Sequence, residues 1–216
     1  MTNKTQTPTV LMLLNSGCAH CPGVLNHLTD LLKNGDISKL EAININQQPE
    51  IAREFNVRSV PWVKIGQIEL TGSQSKAELV RAIEQANSAT GLVQHYEDML
   101  NNGQLQETIE QLQKQPDNIP LLLEMLQNPQ IQISVQIGIG AIMEEFTESP
   151  ALIKLIPALT ELTKNSLARI RNDACYYLSL TAEPRVKDII SPLLNDSNEE
   201  VRETAKDCLE DLDNSI

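Results

Sequence analysis

Two cysteines three residues apart, set between an apolar run and a helix-forming run, constrain this chain more than any other feature. They stand in Ser16-Gly17-Cys18-Ala19-His20-Cys21-Pro22. Ahead of them Thr9–Leu14 reads as a buried strand, a short apolar run bounded by Pro8 and by Asn15-Ser16-Gly17. Behind them Val24, Leu25, Leu28, Leu31 and Leu32 recur at three- and four-residue spacing, which predicts a helix from Cys21 to Lys33 that stops at Asn34-Gly35. A strand that delivers a C-x-x-C to a helix N-terminus suits thiol–disulfide exchange, because the unpaired amides and the helix dipole there favour an anion. In a chain of this type a close cysteine pair serves either redox chemistry or metal binding. Zinc takes four ligands. The chain has one C-x-x-C, and Cys18, Cys21, His20 and His27 are poorly spaced as a set, so no metal is expected.

The pattern continues with a strand over Leu40–Ile45, a short helix over Pro49–Phe55, and two short strands, Val63–Ile65 and Ile68–Leu70, around Gly66-Gln67. A last helix runs over Ser75–Ala86, with Ser75 as N-cap and Glu78 three residues on, the signature of a capping box. The order is βαβαββα, an α/β domain.

This segment resembles the thioredoxin superfamily in its minimal, glutaredoxin-sized form. The matching pieces are Cys18-Ala19-His20-Cys21-Pro22, then Phe55-Asn56-Val57-Arg58-Ser59-Val60-Pro61, the hairpin, Gly72, and the helix opening Ser75-Lys76-Ala77-Glu78-Leu79. The resemblance implies a cis peptide at Val60-Pro61, forty residues after Cys21. It implies a redox-active Cys18–Cys21 disulfide and no other cofactor, with Cys18 as nucleophile, Cys21 as resolving thiol, and Val60 and Pro61 binding substrate backbone beside the sulfurs. Trp62, next in the chain, is expected partly exposed, either packing the hairpin or walling a substrate groove. At such helix N-termini a thiol pKa drops from ~8.5 to roughly 3.5–7.5, and His20 between the cysteines is expected to tune the thiolate further. Cys-x-His-Cys with Val before the proline is similar to periplasmic disulfide-forming members. The proline after the second cysteine is similar to the N-terminal domain of the alkyl hydroperoxide reductase flavoprotein. Two positions depart from thioredoxins proper: Gly17 replaces the tryptophan before the first cysteine, and Met12 replaces the buried acid six residues before it.

Beyond Ser88-Ala89-Thr90-Gly91 the pattern is helical throughout. Three stretches align without gaps: Met125–Ser134, Leu162–Arg171 and Leu193–Arg202. Each ends one helix, turns at Asn128, Asn165 or Asp196, and starts another. The second helices are expected to bury Ile133/Ile137/Ala141, Ile170/Ala174/Leu178 and Val201/Ala205/Leu209. The last two units resemble HEAT repeats, which implies an α-solenoid that binds protein rather than doing chemistry. The first unit departs, with Ser134 where the others have Arg171 and Arg202. Residues 92–115 are expected to add two helices that cap or join the stack. Ile131–Gly140 alternates apolar and polar like a strand, yet the alignment makes it a helix. Cys175 and Cys208 are read as packing residues, and Arg171 and Asp173 as polar contacts between units. The expected domains are residues 1–88 and 89–216.

Charge divides at the same place. Residues 1–90 carry acidic and basic side chains in equal number, so the net charge of −12 resides in the remainder. An acidic surface repels phosphate backbones, which argues against nucleic acid and anionic membranes, and 3% aromatics leave few stacking platforms. The expected partner is a protein client, held by the acidic helical half. The N-terminal apolar run of five residues falls below the roughly 7–15 of a signal-peptide core, so a cytoplasmic location is expected. The alternative function is a non-catalytic scaffold that uses both halves for binding.

Overall fold

The computed structural model describes residues 7–88 and 90–214. The polar stretch Met1–Gln6 and Ala89 of the junction lie outside the described residues. The chain forms two compact units, one up to Tyr96 and one from Glu97 onward.

The first unit runs β1 (Thr9–Leu14), α1 (Cys21–Asn34), β2 (Lys39–Asn44), α2 (Pro49–Glu54), β3 (Trp62–Ile65), β4 (Ile68–Thr71) and α3 (Lys76–Ala86). The four strands make one mixed sheet in the order β2-β1-β3-β4. β2 lies parallel to β1, whereas β3 and β4 are antiparallel to their neighbours. Because side chains alternate across a strand, register decides which face each residue meets. Met12 opposes Val63 and Val10 opposes Ile65. These four join Val24, Leu28 and Leu31 of α1 and Leu79 and Ile83 of α3 in one buried cluster. The other parity, Leu13 opposite Trp62, puts Trp62 on the far face, where its ring meets Phe55 at 5.3 Å. Lys64 follows on that face, 5.4 Å over the Phe55 ring and 3.3 Å from Glu69 of β4.

α1 ends because Gly35 takes φ +83° and returns its N–H to the carbonyls of Leu31 and Leu32, a geometry that costs glycine little. α3 begins with the reciprocal capping box: the Ser75 hydroxyl accepts from the Glu78 N–H, and the Glu78 carboxylate accepts from the Ser75 N–H at 2.7 Å. The Ser75 hydroxyl and N–H hold Glu78 below the usual carboxylate range. Ser75→Ala is expected to cost about 1 kcal/mol, read from denaturant unfolding. The carboxylate's part of that stability is full above the ordinary range and fades as pH falls below it.

α4 (Gly91–Asn101) leads into the second unit, which continues with α5 (Leu105–Lys114), α6 (Pro120–Leu126), α7 (Ile133–Glu145), α8 (Pro150–Ile153), α9 (Ile156–Leu162), α10 (Ala168–Ser179), α11 (Val186–Ile190) and α12 (Glu199–Asn214). α10 packs against α12, α9 and α7, and α7 packs against α5 and α6. The turn before each of α7, α10 and α12 uses one device. Asn128 Oδ1 accepts from the Gln130 N–H at 2.9 Å, Asn165 Oδ1 from the Leu167 N–H at 2.9 Å, and Asp196 Oδ1 from the Asn198 N–H at 2.8 Å. Asn and Asp favour such turns because the side chain mimics a backbone acceptor. Arg171 Nη1 donates to the Asn165 carbonyl at 2.9 Å, and Arg202 Nη1 to the Asp196 carbonyl at 2.8 Å, the same contact in consecutive turns.

Ile131–Gly140 is helical from Ile133, against its strand-like alternation. The burial expected within it is overturned. Ile133 and Ile137 are 76% and 67% exposed, and the buried side is Val135, Gly138, Ile139, Ile142 and Met143. α7 is apolar on every side, so periodicity alone cannot select the inward face. Gly138 supplies the reason: a Cβ there would come 2.8 Å from Leu100 Cδ2, so the helix packs close at this glycine. Ile137→Gln is therefore expected to change stability by no more than about 0.5 kcal/mol, in a thermal melt of the full chain.

Among the described residues no helix is long and apolar enough to cross a membrane.

Candidate active site

The loop between β1 and α1 is pinned before the first cysteine is reached. Asn15 Oδ1 accepts from the Gly17 N–H at 3.0 Å, and the Asn15 carbonyl accepts from the Cys18 N–H at 3.4 Å. Asn46, just beyond β2, accepts from the Ser16 N–H at 3.0 Å through Oδ1, while Asn44 donates to the Ser16 hydroxyl at 3.1 Å. Asn44 Oδ1 in turn accepts from the Asn46 N–H at 3.0 Å. These asparagines position the cysteine loop, and linear spacing gave no sign of them. The parallel pairing of β1 with β2, Leu14 beside Asn44, brings them there.

Cys18 and Cys21 are joined by a disulfide, with their Cα atoms 5.4 Å apart. Cys18 is half-buried, and Cys21, the first residue of α1, is buried at 3% exposure. The two sulfurs thus differ in access: a large molecule reaches Cys18 before Cys21. The Cys21 N–H donates to Cys18 Sγ at 3.0 Å. This is one of the amides a helix leaves unpaired at its start, and it points at the sulfur on which negative charge rests after the disulfide is opened. Pro22, second in the helix, has no N–H to satisfy.

The second wall is the turn into β3. The Val60–Pro61 peptide is cis, and the Val60 carbonyl lies 3.6 Å from Cys18 Sγ. Val60 is half-buried and Pro61 is buried. The Gly72 N–H holds this turn by donating to the Pro61 carbonyl at 2.9 Å, from a backbone with φ +91°. So residues 42 apart in sequence meet at one sulfur.

His20 and Trp62 stand differently. His20 is exposed at the N-cap of α1, and its side chain makes no capping hydrogen bond. Trp62, expected partly exposed, is 2% exposed. Strand parity turns it away from the Cys18 side of the sheet and onto Phe55, at the end of α2. Met12 is fully buried in the same cluster as Cys21, which leaves an apolar side chain at that position. Among the described residues no group of three or more His, Cys, Asp or Glu side chains is arranged to hold a metal ion.

Comparison with known proteins agrees with this geometry. The family described as thioredoxin domain matches residues 9–85. A thioredoxin of Methanocaldococcus jannaschii is 32% identical over 69 residues, 31% of this chain and 81% of that protein. With the dithiol at the start of α1 and the cis proline facing it, this chain belongs, through residues 9–85, to the thioredoxin family.

Proposed function

We propose that this protein is a thiol–disulfide oxidoreductase that acts on a protein client through Cys18 and Cys21, with the acidic helical unit as the client-holding module. The observation that carries the reading is the pairing of a half-buried Cys18 sulfur with the Cys21 N–H at 3.0 Å, opposite Val60-Pro61. In the reducing direction the Cys18 thiolate attacks one sulfur of a client disulfide. That S–S bond breaks, the other client sulfur leaves as a thiolate, and a mixed disulfide remains on Cys18. Cys21 then loses its proton and attacks Cys18 Sγ, releasing the second client thiol and closing the Cys18–Cys21 disulfide. Two electrons pass to the client; in the oxidising direction the steps reverse. Val60 and Pro61 bind the client backbone beside the sulfurs. His20, exposed between the two cysteines, tunes the thiolate. No cofactor beyond the disulfide is used.

The helical unit is read as HEAT-like. Its support is the turn device shared by Asn128, Asn165 and Asp196 and the matching arginine contacts from Arg171 and Arg202. Stacked helix pairs offer an extended face to another protein, and the net charge of −12 borne by this half favours a basic client.

A trap tests the proposal. In Cys21→Ser the mixed disulfide cannot be resolved, so a client should stay bound at Cys18 through a bond that dithiothreitol releases. The same trap in a chain ending at Tyr96, the end of the first unit, should capture less if the helical unit holds the client. Absence of any trapped disulfide, together with a Cys18–Cys21 pair that does not cycle between thiol and disulfide, leaves the scaffold reading in its place.

A further inference from the structure

Outside the thioredoxin-like unit the chain has two more cysteines, Cys175 and Cys208, both free. They are 33 residues apart, and no spacing motif joins them. The fold does. Cys175 lies on α10 and Cys208 on α12, two helices packed along each other. Ala174 beside Cys175 is 1% exposed, and Ala205, one turn before Cys208, is fully buried, so small side chains flank both thiols. The thiols are themselves nearly sealed, Cys175 at 0% and Cys208 at 4% exposure.

The two sulfurs interact directly, and not symmetrically. Their contact pushes the Cys175 thiol up and draws Cys208 down. The Ser179 hydroxyl adds to the lowering at Cys208. Burial and the carboxylates of Asp207 and Asp211 oppose it. Of the two, Cys208 is the sulfur that loses its proton more readily and Cys175 the one that follows, the order of an attacking and a resolving thiol. Among the described residues no further His, Cys, Asp or Glu gathers with them into a metal-binding set.

We propose that Cys175 and Cys208 form a second, reversible dithiol–disulfide couple whose oxidation staples α12 to α10. The oxidant suited to so closed a site is a small hydroperoxide. The Cys208 thiolate attacks the terminal peroxide oxygen, the O–O bond breaks, and the leaving oxygen takes a proton to become water or an alcohol. Cys208 is then a sulfenic acid. Cys175 loses its proton, its sulfur attacks Cys208 Sγ, and the sulfenic oxygen departs as water. Two thiols give up two electrons, the peroxide gains them, and an external dithiol reverses the change. The proposal does not depend on the activity of Cys18 and Cys21.

The wild-type full chain tests it, because trypsin separates the two pairs. Cleavage after Arg171 and Arg185 places Cys175 in peptide 172–185, cleavage after Lys206 places Cys208 in 207–216, and Cys18 and Cys21 share peptide 5–33. After reduction, brief exposure to hydrogen peroxide and alkylation in denaturant, peptides 172–185 and 207–216 should appear joined, at a mass about 2 Da below their sum. Dithiothreitol should separate them. In a Cys175→Ala full chain a sulfenic-acid reagent should label Cys208 more than in wild type, since the resolving thiol is gone. If that variant does not fold, the wild-type map decides alone. Two free, alkylated cysteines after peroxide, or separate sulfinic acids without the joined peptide, overturn the proposal.

Discussion

Cys18→Ser is expected to reduce turnover of a disulfide-bonded protein substrate to the uncatalysed background. The reason lies in the nucleophile. Exchange proceeds by attack of a thiolate on a disulfide sulfur, and a serine hydroxyl is almost wholly protonated at neutral pH and far less reactive toward sulfur. Nothing else in the loop replaces it. Cys21 is buried at 3% exposure, so a protein-sized disulfide cannot reach it. Cys21→Ser should behave differently. Its first attack proceeds, one client thiol is released per chain, and turnover then stops at the mixed disulfide. Stopped-flow alkylation of released thiols separates the two variants: no release for Cys18→Ser, a single stoichiometric burst for Cys21→Ser. Equal residual turnover in both would assign the activity to another part of the chain. Asn46→Ala tests the support beneath. Added to Cys21→Ser, it removes the acceptor for the Ser16 N–H and should slow the burst while leaving its size unchanged, because the loop that aims Cys18 is less well held.

Arg171→Ala is expected to destabilise the helical unit by about 3 kcal/mol, the usual cost of removing one partner from a shielded ion pair. The side chains of Arg171 and Asp196 are only 12% and 9% exposed. Their contact is two-pronged: Nε donates to Oδ2 at 2.7 Å and Nη2 to Oδ1 at 2.6 Å. Arg171 also closes the Asn165–Ser166 turn through Nη1, so one side chain ties two successive turns together. Lysine offers no planar fork and should recover only part of the loss. The pair has a pH signature as well. The Arg171 guanidinium, with the Asn198 N–H, holds the Asp196 carboxyl down at about 2, against the resistance of burial, and Asp196 in turn raises Arg171. A depressed folded-state pKa gives stability that is complete above the unfolded value and lost as pH falls through the folded one. Wild type should therefore lose this stability between about pH 4 and pH 2. Arg171→Ala should show a shallower slope in that window in urea titrations. An unchanged slope would assign the acid sensitivity to other carboxylates.

Both effects rest on features the linear chain showed to different degrees. The strand, the cysteines and the helix that follows were legible because each is local. Apolar spacing, Pro22 and Asn34-Gly35 act within a few residues of where they stand. Ser75 with Glu78, and the turns at Asn128, Asn165 and Asp196, are legible for the same reason: a side chain that reaches its own backbone needs no distant partner. The likeness of Cys18-Ala19-His20-Cys21-Pro22 and Val60-Pro61 to the thioredoxin superfamily supplied the long-range meeting of the cysteines with the proline turn in advance.

What remained belonged to tertiary structure. α7 carries apolar residues on every side, so its inward face was decided by Leu100 and its other neighbours; Val135 and Ile139 went inside and Ile133 and Ile137 stayed out. Trp62 went to the far side of the sheet because pairing with Leu13 fixes its parity. Asn44 and Asn46 reached the cysteine loop only through the pairing of β1 with β2, and Cys175 met Cys208 only because α10 lies against α12. Sequence by itself determined where elements start, stop and turn, and where a thiolate would sit, since those depend on neighbours along the chain. Which faces met, and therefore which thiols and amides came within reach of one another, was decided by packing between segments distant in sequence.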